Sequence, residues 1–330
     1  MKTRTTFILF LTAILTLAAG SAFGLYSGGS GTPGDPYKIA TKTDLLTLAI
    51  TSGDYSKCFI LTADINMGGG TFTTAIIAAD TNPNSGFQGI VFSGTFDGND
   101  HKITNFTING INGASFVGLF GYIVSGGNIK NLGLENCSVS GSSGSYYVGG
   151  LVGYNSGGIS DCYSTGAVSG SGSSNVGGLV GYTFSSSSIS NCYSTGSVSG
   201  SSNVYVGGLV GFNFSSGNIS NCYSTGAVSG SSNVGGLVGY NFGSGSTVSS
   251  FWDINTSGQT ASAGGTGKTT TQMKTFLTFT SAGWDFNSVW VLPLGQYPML
   301  FLRQAGDLNY DGRVDFADFA IFADNWLAGE

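Results

Sequence analysis

Gly177-Gly178-Leu179-Val180-Gly181-Tyr182, followed seven residues later by Ile189-Ser190-Asn191-Cys192-Tyr193-Ser194-Thr195-Gly196-Ser197-Val198, is one unit of a repeat. The first half, GGLVG, begins at Gly149, Gly177, Gly207 and Gly235, in steps of 28, 30 and 28 residues. A variant, Val117-Gly118-Leu119-Phe120-Gly121-Tyr122, opens the series. The second half begins at Ile159, Ile189 and Ile219, with a degenerate copy over 129–141. Each unit reads as apolar strand, turn, apolar strand, turn, and repetition at this period is the signature of stacked units.

Alternation sets how the second half faces. Cys192, Ser194, Gly196 and Val198 share one side, and Tyr193, Thr195 and Ser197 the other. Small and apolar against polar is the pattern of a strand half-buried on a narrow core. Glycines at fixed offsets are expected to supply positive φ at the corners. No part of the repeat has helical periodicity, and a propeller blade needs roughly 40 to 50 residues. One coil cannot bury its own face, whereas several stacked coils can. The expected fold is all-β, a parallel solenoid.

GGLVG(Y/F)N with I-x-(N/D)-C-Y-S-T-G between copies resembles the GLUG repeat of bacterial secreted and surface proteins, over about residues 112–250. The resemblance implies a right-handed parallel β-helix at or outside the cell surface. It implies adhesion-like or structural roles more than catalysis.

The N-terminus reads as a secretory signal. Lys2 and Arg4 precede an apolar run over 7–19, and Gly20, Ser21, Ala22 and Gly24 follow, with cleavage expected after Ala22 or Gly24. The run is shorter than the roughly 20 residues of a membrane span, and no later stretch is long and apolar enough. Removing Lys2 and Arg4 leaves 9 basic residues against 17 acidic, a formal net charge of −8. That balance, without a basic patch, argues against nucleic acid as a partner. Gly and Ser are abundant, but 41% hydrophobic residues and many aromatics supply a core.

Five cysteines are Cys58, Cys137, Cys162, Cys192 and Cys222. The last three occupy the same place in C-Y-S-T-G-(A/S), thirty residues apart. Stacked coils hold equivalent residues about 4.8 Å apart, farther than the ~3.8 Å between Cβ atoms of a disulfide. A buried thiol column is expected.

Five segments follow: the signal over 1–24, an N-terminal cap with first coils over 25–116, the repeat β-helix over 117–250, a closing cap and linker over 251–303, and a C-terminal module over 304–330. Thr41 and Asp44 form a capping box before a short helix over 45–50. Strands are expected over 58–65 and 90–96. Phe251, Trp252, Trp284, Phe286 and Trp290 are expected to bury the last coil, since aromatics dominate core burial. Stacking of exposed Trp on sugar rings is the competing reading.

The C-terminal module carries the most specific chemistry. Asp307, Asn309, Asp311, Asp315 and Asp318 fall at positions 1, 3, 5, 9 and 12 of a calcium loop, with Gly312 at the turn and the Arg313 carbonyl at position 7. Phe316, Phe319, Ala320, Ala323, Trp326 and Leu327 then recur at helical spacing. Position 12 carries Asp in place of Glu, which lowers the expected affinity for Ca2+ to the order of 10⁻⁴ to 10⁻³ M or somewhat tighter. The module resembles a type I dockerin, whose family pairs two such hands. Only one is present, so docking to a cohesin-like partner is less secure than attachment or sorting. The stretch 264–269 suggests a phosphate loop, but Ser262 stands where the template needs Gly.

Catalysis is hard to place. Between residues 137 and 250 the only charged residue is Asp161, and the sole histidine, His101, lies in Asp97-Gly98-Asn99-Asp100-His101-Lys102. Such a polar string before a strand is more often a turn. Two functions remain. One is a non-catalytic exported adhesion-type protein with a calcium-dependent tail, its outward columns (Tyr163, Tyr193 and Tyr223, then Thr165, Thr195 and Thr225) facing a ligand such as a glycan. The other is a β-helical polysaccharide lyase or hydrolase tethered by that tail.

Overall fold

The computed structural model describes residues 24–82, 86–111, 114–172, 175–201 and 205–301, and the helical positions 316, 319, 320 and 323. Parallel strands stack in register from Tyr37–Ile39 through to Thr266–Lys268. One coil consists of Tyr147–Gly149, Val152–Asn155, Gly158–Ser164 and Ala167–Gly170. Val152 pairs with Val180, Val180 with Val210, and Val210 with Val238. Ile129, Ile159, Ile189 and Ile219 form a second column. The expected parallel β-solenoid is the observed fold. Two of its faces are five-stranded sheets, and the third is one long sheet of 18 strands.

Identical coils place identical side chains above one another. Leu151, Leu179, Leu209 and Leu237 are completely buried, as are Val148, Val176 and Val206. A buried aliphatic side chain is worth ~1.5–3 kcal/mol, and each coil obtains it only because a neighbour covers both its edges.

The corners meet the expectation in part: Gly144 and Gly172 take positive φ of 91 and 74°, while another corner uses other residues. Asn131, Asp161, Asn191 and Asn221 take left-handed backbone, with φ of 52, 53, 52 and 52°. Asn and Asp tolerate that region better than other side chains. They also bond along the axis: Asn191 Nδ2 donates to Asp161 Oδ1 at 3.0 Å, and Asn221 Nδ2 to Asn191 Oδ1 at 3.3 Å. Gly196 is needed for space instead, since a Cβ there would lie 1.9 Å from the Gly166 carbonyl oxygen.

The thiol column is present, and the described cysteines are free. Leu132, Cys162, Cys192 and Cys222 are in line, and each thiol of 162, 192 and 222 donates to the carbonyl two residues before it, at 3.0–3.1 Å. Burial pushes the Cys192 and Cys222 thiols well above the ordinary range. Cys137 lies outside the column, against Gly166, because in the degenerate copy Leu132 holds the column position and Cys137 stands five residues further on.

At the N-terminal end the helix Lys42–Ile50 begins one turn earlier than the apolar pattern suggests. Its capping box is formed, and Leu45 and Leu48 join the core. The expected strand over 58–65 divides into Cys58–Leu61 and Ile65–Phe72, and over 90–96 only Thr95–Asp97 is strand, with Phe92 bridging to Ile123.

The segment after residue 250 does more than close the end. Phe251–Asp253 and Thr266–Lys268 add two further rungs, and Trp252 joins the core above the last repeat. Short helices Thr270–Met273 and Phe276–Thr280 and the antiparallel pair Trp290–Val291 and Met299–Leu300 then pack on the side of the solenoid, against the tyrosine column.

Candidate functional site

The columns expected to face a ligand do not. Tyr163, Tyr193 and Tyr223 do lie on the outer side of their sheet, in register and stacked at 4.9 Å with interplanar angles of 5 and 11°. They are nevertheless buried, Tyr223 to 1% exposure, beneath Met273, Phe279, Trp284, Trp290 and Leu300. Trp290 stands 6.2 Å from Tyr193 and 6.1 Å from Tyr223, ring to ring. Burial raises all three phenols above their usual range, and the Glu135 carboxylate accepting from Tyr163 adds to it there. The threonine column is not a continuous surface either. Thr165 is exposed, Thr195 half-buried and Thr225 buried, with Thr256 Oγ1 donating to the Thr225 carbonyl at 2.6 Å. Alternation identifies the side a residue faces but not what else in the chain covers that side. The Trp residues at 284 and 290 are that cover, and packing rather than sugar stacking is their role here.

An aromatic surface lies on another face. The residue after each GGLVG, in the order Tyr122, Tyr154, Tyr182, Phe212 and Tyr240, points outward from a five-stranded sheet and is half-buried. Successive ring centroids are 4.5, 4.9, 5.2 and 5.2 Å apart. Beside them runs a second column, Phe184, Phe214 and Phe242, at 5.6 and 5.4 Å, with Phe184 38% and Phe242 54% exposed. Neighbouring rings in the first column meet at 58, 28, 87 and 71°, unlike the closed stack of the buried tyrosines. The pattern was in the sequence but out of phase. Leu179 and Val180 are both buried across the turn, so period-two alternation lapses through GGLVG and resumes only at Tyr182 out, Thr183 in, Phe184 out. Inside, Thr183 Oγ1 bonds Asn213 Oδ1, and Asn213 Nδ2 donates to Gly217 O at 3.0 Å and Asn241 Oδ1 at 3.2 Å, a buried polar seam that fixes the corner behind the rings.

Polar groups gather where the covering segment meets the first coils. A cleft of about 400 Å3 there is lined by Asp97, Asp100, Lys130, Asp161 and Tyr163 on one wall and Val289, Leu300 and Phe301 on the other. Asp97 is engaged by Lys130 at 3.0 Å and by Asn131 at 2.9 Å, and Asp161 by Asn191. His101 turns away from it, its Nδ1 3.0 Å from Asp64 Oδ1. No group of three or more His, Cys, Asp or Glu that could hold a metal occurs among the described residues.

Over residues 144–169, 172–199 and 202–229 the chain matches the GLUG motif. The repeats are GLUG motifs. Halomucin from Haloquadratum walsbyi is 37% identical over 139 residues, a stretch that is 42% of this chain and 1% of halomucin. The present chain therefore spans a very small part of that relative. A solved Bacteroides ovatus structure, provisionally described as an immunoglobulin A1 protease, superposes with a TM-score of 0.61 over 85% of this chain and 96% of its own, at 22% identity. At that identity the likeness shows the shared solenoid fold. Together the GLUG repeats and the halomucin relative show that this is a repeat protein.

Each of the three matched GLUG segments carries one ring of the aromatic column, Tyr154, Tyr182 and Phe212. The expected calcium ligands Asp307, Asn309, Asp311, Arg313, Asp315 and Asp318, and all but the last residue of the export signal expected over 1–24, lie outside the described residues. Positions 316, 319, 320 and 323 are helical, with Phe316 and Phe319 exposed. The 264–269 stretch forms strand Thr266–Lys268, paired to Phe251–Asp253, and Thr269 caps the four-residue helix Thr270–Met273. Among the described residues no helix is long and apolar enough to cross a membrane.

Proposed function

We propose that this chain is a non-catalytic, exported repeat protein of the cell surface, in which the GLUG solenoid is a rigid element displaying one face. Its C-terminal Asp307–Asp318 loop binds Ca2+ and serves attachment or sorting, with a cohesin-like or other surface protein as the partner. The observation that carries this reading is the stack itself. In-register coils run from residue 37 to 268, and between residues 137 and 250 the only charged side chain is Asp161. A surface so short of titratable groups lacks the paired acids or acid and base that glycoside cleavage requires. The halomucin likeness supports the same reading, since a module filling 1% of a long chain acts as a building unit.

Expression with its own N-terminus, followed by protease treatment of intact cells, tests it. The repeat domain should be digested from outside, and chelation of calcium or Asp311→Ala should release the protein from the cell. Retention in the cytosol would end the surface reading, and unchanged attachment after Asp311→Ala would end the role given to the loop.

One observation favours a second reading, a polysaccharide lyase or hydrolase: the cleft with Asp97, Asp100 and Asp161. Turnover of an acidic or neutral polysaccharide that is lost in Asp100→Ala or His101→Ala would establish it over the first.

A further inference from the structure

An outward aromatic stands at the same place in five successive coils. Phe87 and Phe116 rest against the first ring of this column, and Tyr147 and Tyr205 flank the others from the neighbouring five-stranded sheet, but no later segment among the described residues closes over the column, whereas the tyrosines of the long sheet are sealed by Trp284 and Trp290. We infer that Tyr122, Tyr154, Tyr182, Phe212 and Tyr240 form a binding strip for a neutral, extended polysaccharide lying along the solenoid axis, one sugar per coil. The inference rests on the non-catalytic, surface-displayed reading and names its ligand.

Charge selects the class of ligand. The acidic net charge of the chain lies outside the repeats, and residues 137–250 carry one charged side chain, Asp161, on the long sheet and not on this face. An acidic or basic partner would find no counter-charge on the strip, and a second copy would bring the same net negative charge to it. A neutral sugar needs neither. Its axial C–H groups form an apolar face that packs on an aromatic ring, and its equatorial hydroxyls stay in water or reach the Tyr hydroxyls at the rim.

Spacing selects the shape. The rings repeat at 4.5–5.2 Å, the spacing of the coils. A peptide laid along the axis as a strand rises ~3.3 Å per residue and presents side chains on one face every ~6.6 Å, which does not match the ring spacing. An extended β-linked pyranose chain advances per sugar by nearly the coil spacing and keeps register over all five. The angles of 58, 87 and 71° between neighbouring rings matter here, because a ring met at its edge keeps a face clear of its neighbour. The strip is also preorganised, each ring standing on a strand locked to its neighbours in the sheet, so little side-chain freedom is lost on binding.

The test is affinity electrophoresis and calorimetry of the full chain with soluble β-1,4-glucan, β-1,3-glucan, xylan and mannan, and with oligosaccharides of graded length. Binding to at least one neutral polymer is expected, tightening with length until the oligosaccharide spans the five coils. Tyr182→Val with Phe212→Val keeps β-branched residues in the strands and should weaken binding by about tenfold or more, as loss of a central anchor does. Phe242→Ser, at the exposed rim, checks the same surface should the double variant fail to fold. No retardation by any neutral polymer overturns the inference. So does equal binding by a folded double variant, or a double variant whose only loss is self-association. Product analysis of the same incubations separates the two readings. Cleavage of the polymer overturns the non-catalytic function, and absence of binding overturns the strip alone.

Discussion

Gly196→Ala isolates the close approach of coils from every other role of glycine. The residue has no positive φ, so alanine meets no penalty from backbone conformation there. A Cβ at 196 would stand 1.9 Å from the Gly166 carbonyl oxygen, 2.5 Å from its carbon and 2.9 Å from the Thr165 oxygen. These atoms belong to a paired backbone one coil below and cannot swing aside. Relief requires the two coils to separate by roughly 1 Å or more, opening a gap beside Cys192 and Val198 that forfeits a quarter to a half of their contact energy. Overpacking that side chains can absorb costs ~1–3 kcal/mol. Backbone resistance places Gly196→Ala at the top of that range, about 3 kcal/mol. Urea denaturation followed by far-ultraviolet circular dichroism reads it as a lower midpoint at unchanged slope. Gly172→Ala is the companion variant. Its φ is +74° and its nearest neighbour lies 3.5 Å away, so it should cost only the left-handed penalty of ~1–2 kcal/mol. A Gly196→Ala midpoint equal to wild type would refute the stacking distance. Equal losses in both variants would refute the division between space and φ.

Trp290→Ala removes the buried ring that seals the tyrosine column and should cost ~3–5 kcal/mol. Faster proteolysis within 270–301 with the repeats left intact is the expected readout, and even digestion across the chain would count against a separate cover. Asn191→Ala should cost ~1–2 kcal/mol for its left-handed φ, and Asn191→Gly should recover most of that, as measured by urea midpoint. Alkaline pH should destabilise the fold. Buried Tyr163, Tyr193 and Tyr223 have pKa values raised above the ordinary phenol, and Cys137 is pushed up to about 11. Unfolded chains therefore release these protons first, so stability holds below the unfolded thiol value of roughly 8.5–9 and falls as pH rises beyond it, faster above about 10 as the phenols join. Phenolate absorbance of these three should appear together with unfolding, and their ionisation in a folded protein would contradict their burial.

Repetition alone determined the fold. GGLVG and its partner half fixed which residues are equivalent, and equivalence in parallel coils dictates register. The Val, Leu, Ile and Cys columns and the capping box at Thr41 and Asp44 are therefore legible in the chain of residues itself. The corner chemistry was legible only in part, since Gly144 and Gly172 take the expected positive φ but φ and close approach make different demands on Asn191 and Gly196. Which face meets solvent was decided only in three dimensions. Tyr193 and Tyr182 are each outward aromatics in every unit, and local pattern treats them alike. Tyr193 is covered by residues nearly a hundred positions later, whose approach depends on where the solenoid ends and how the chain turns back. Period-two alternation is a property of one strand; burial of its outer face is a property of whatever long-range segment packs there.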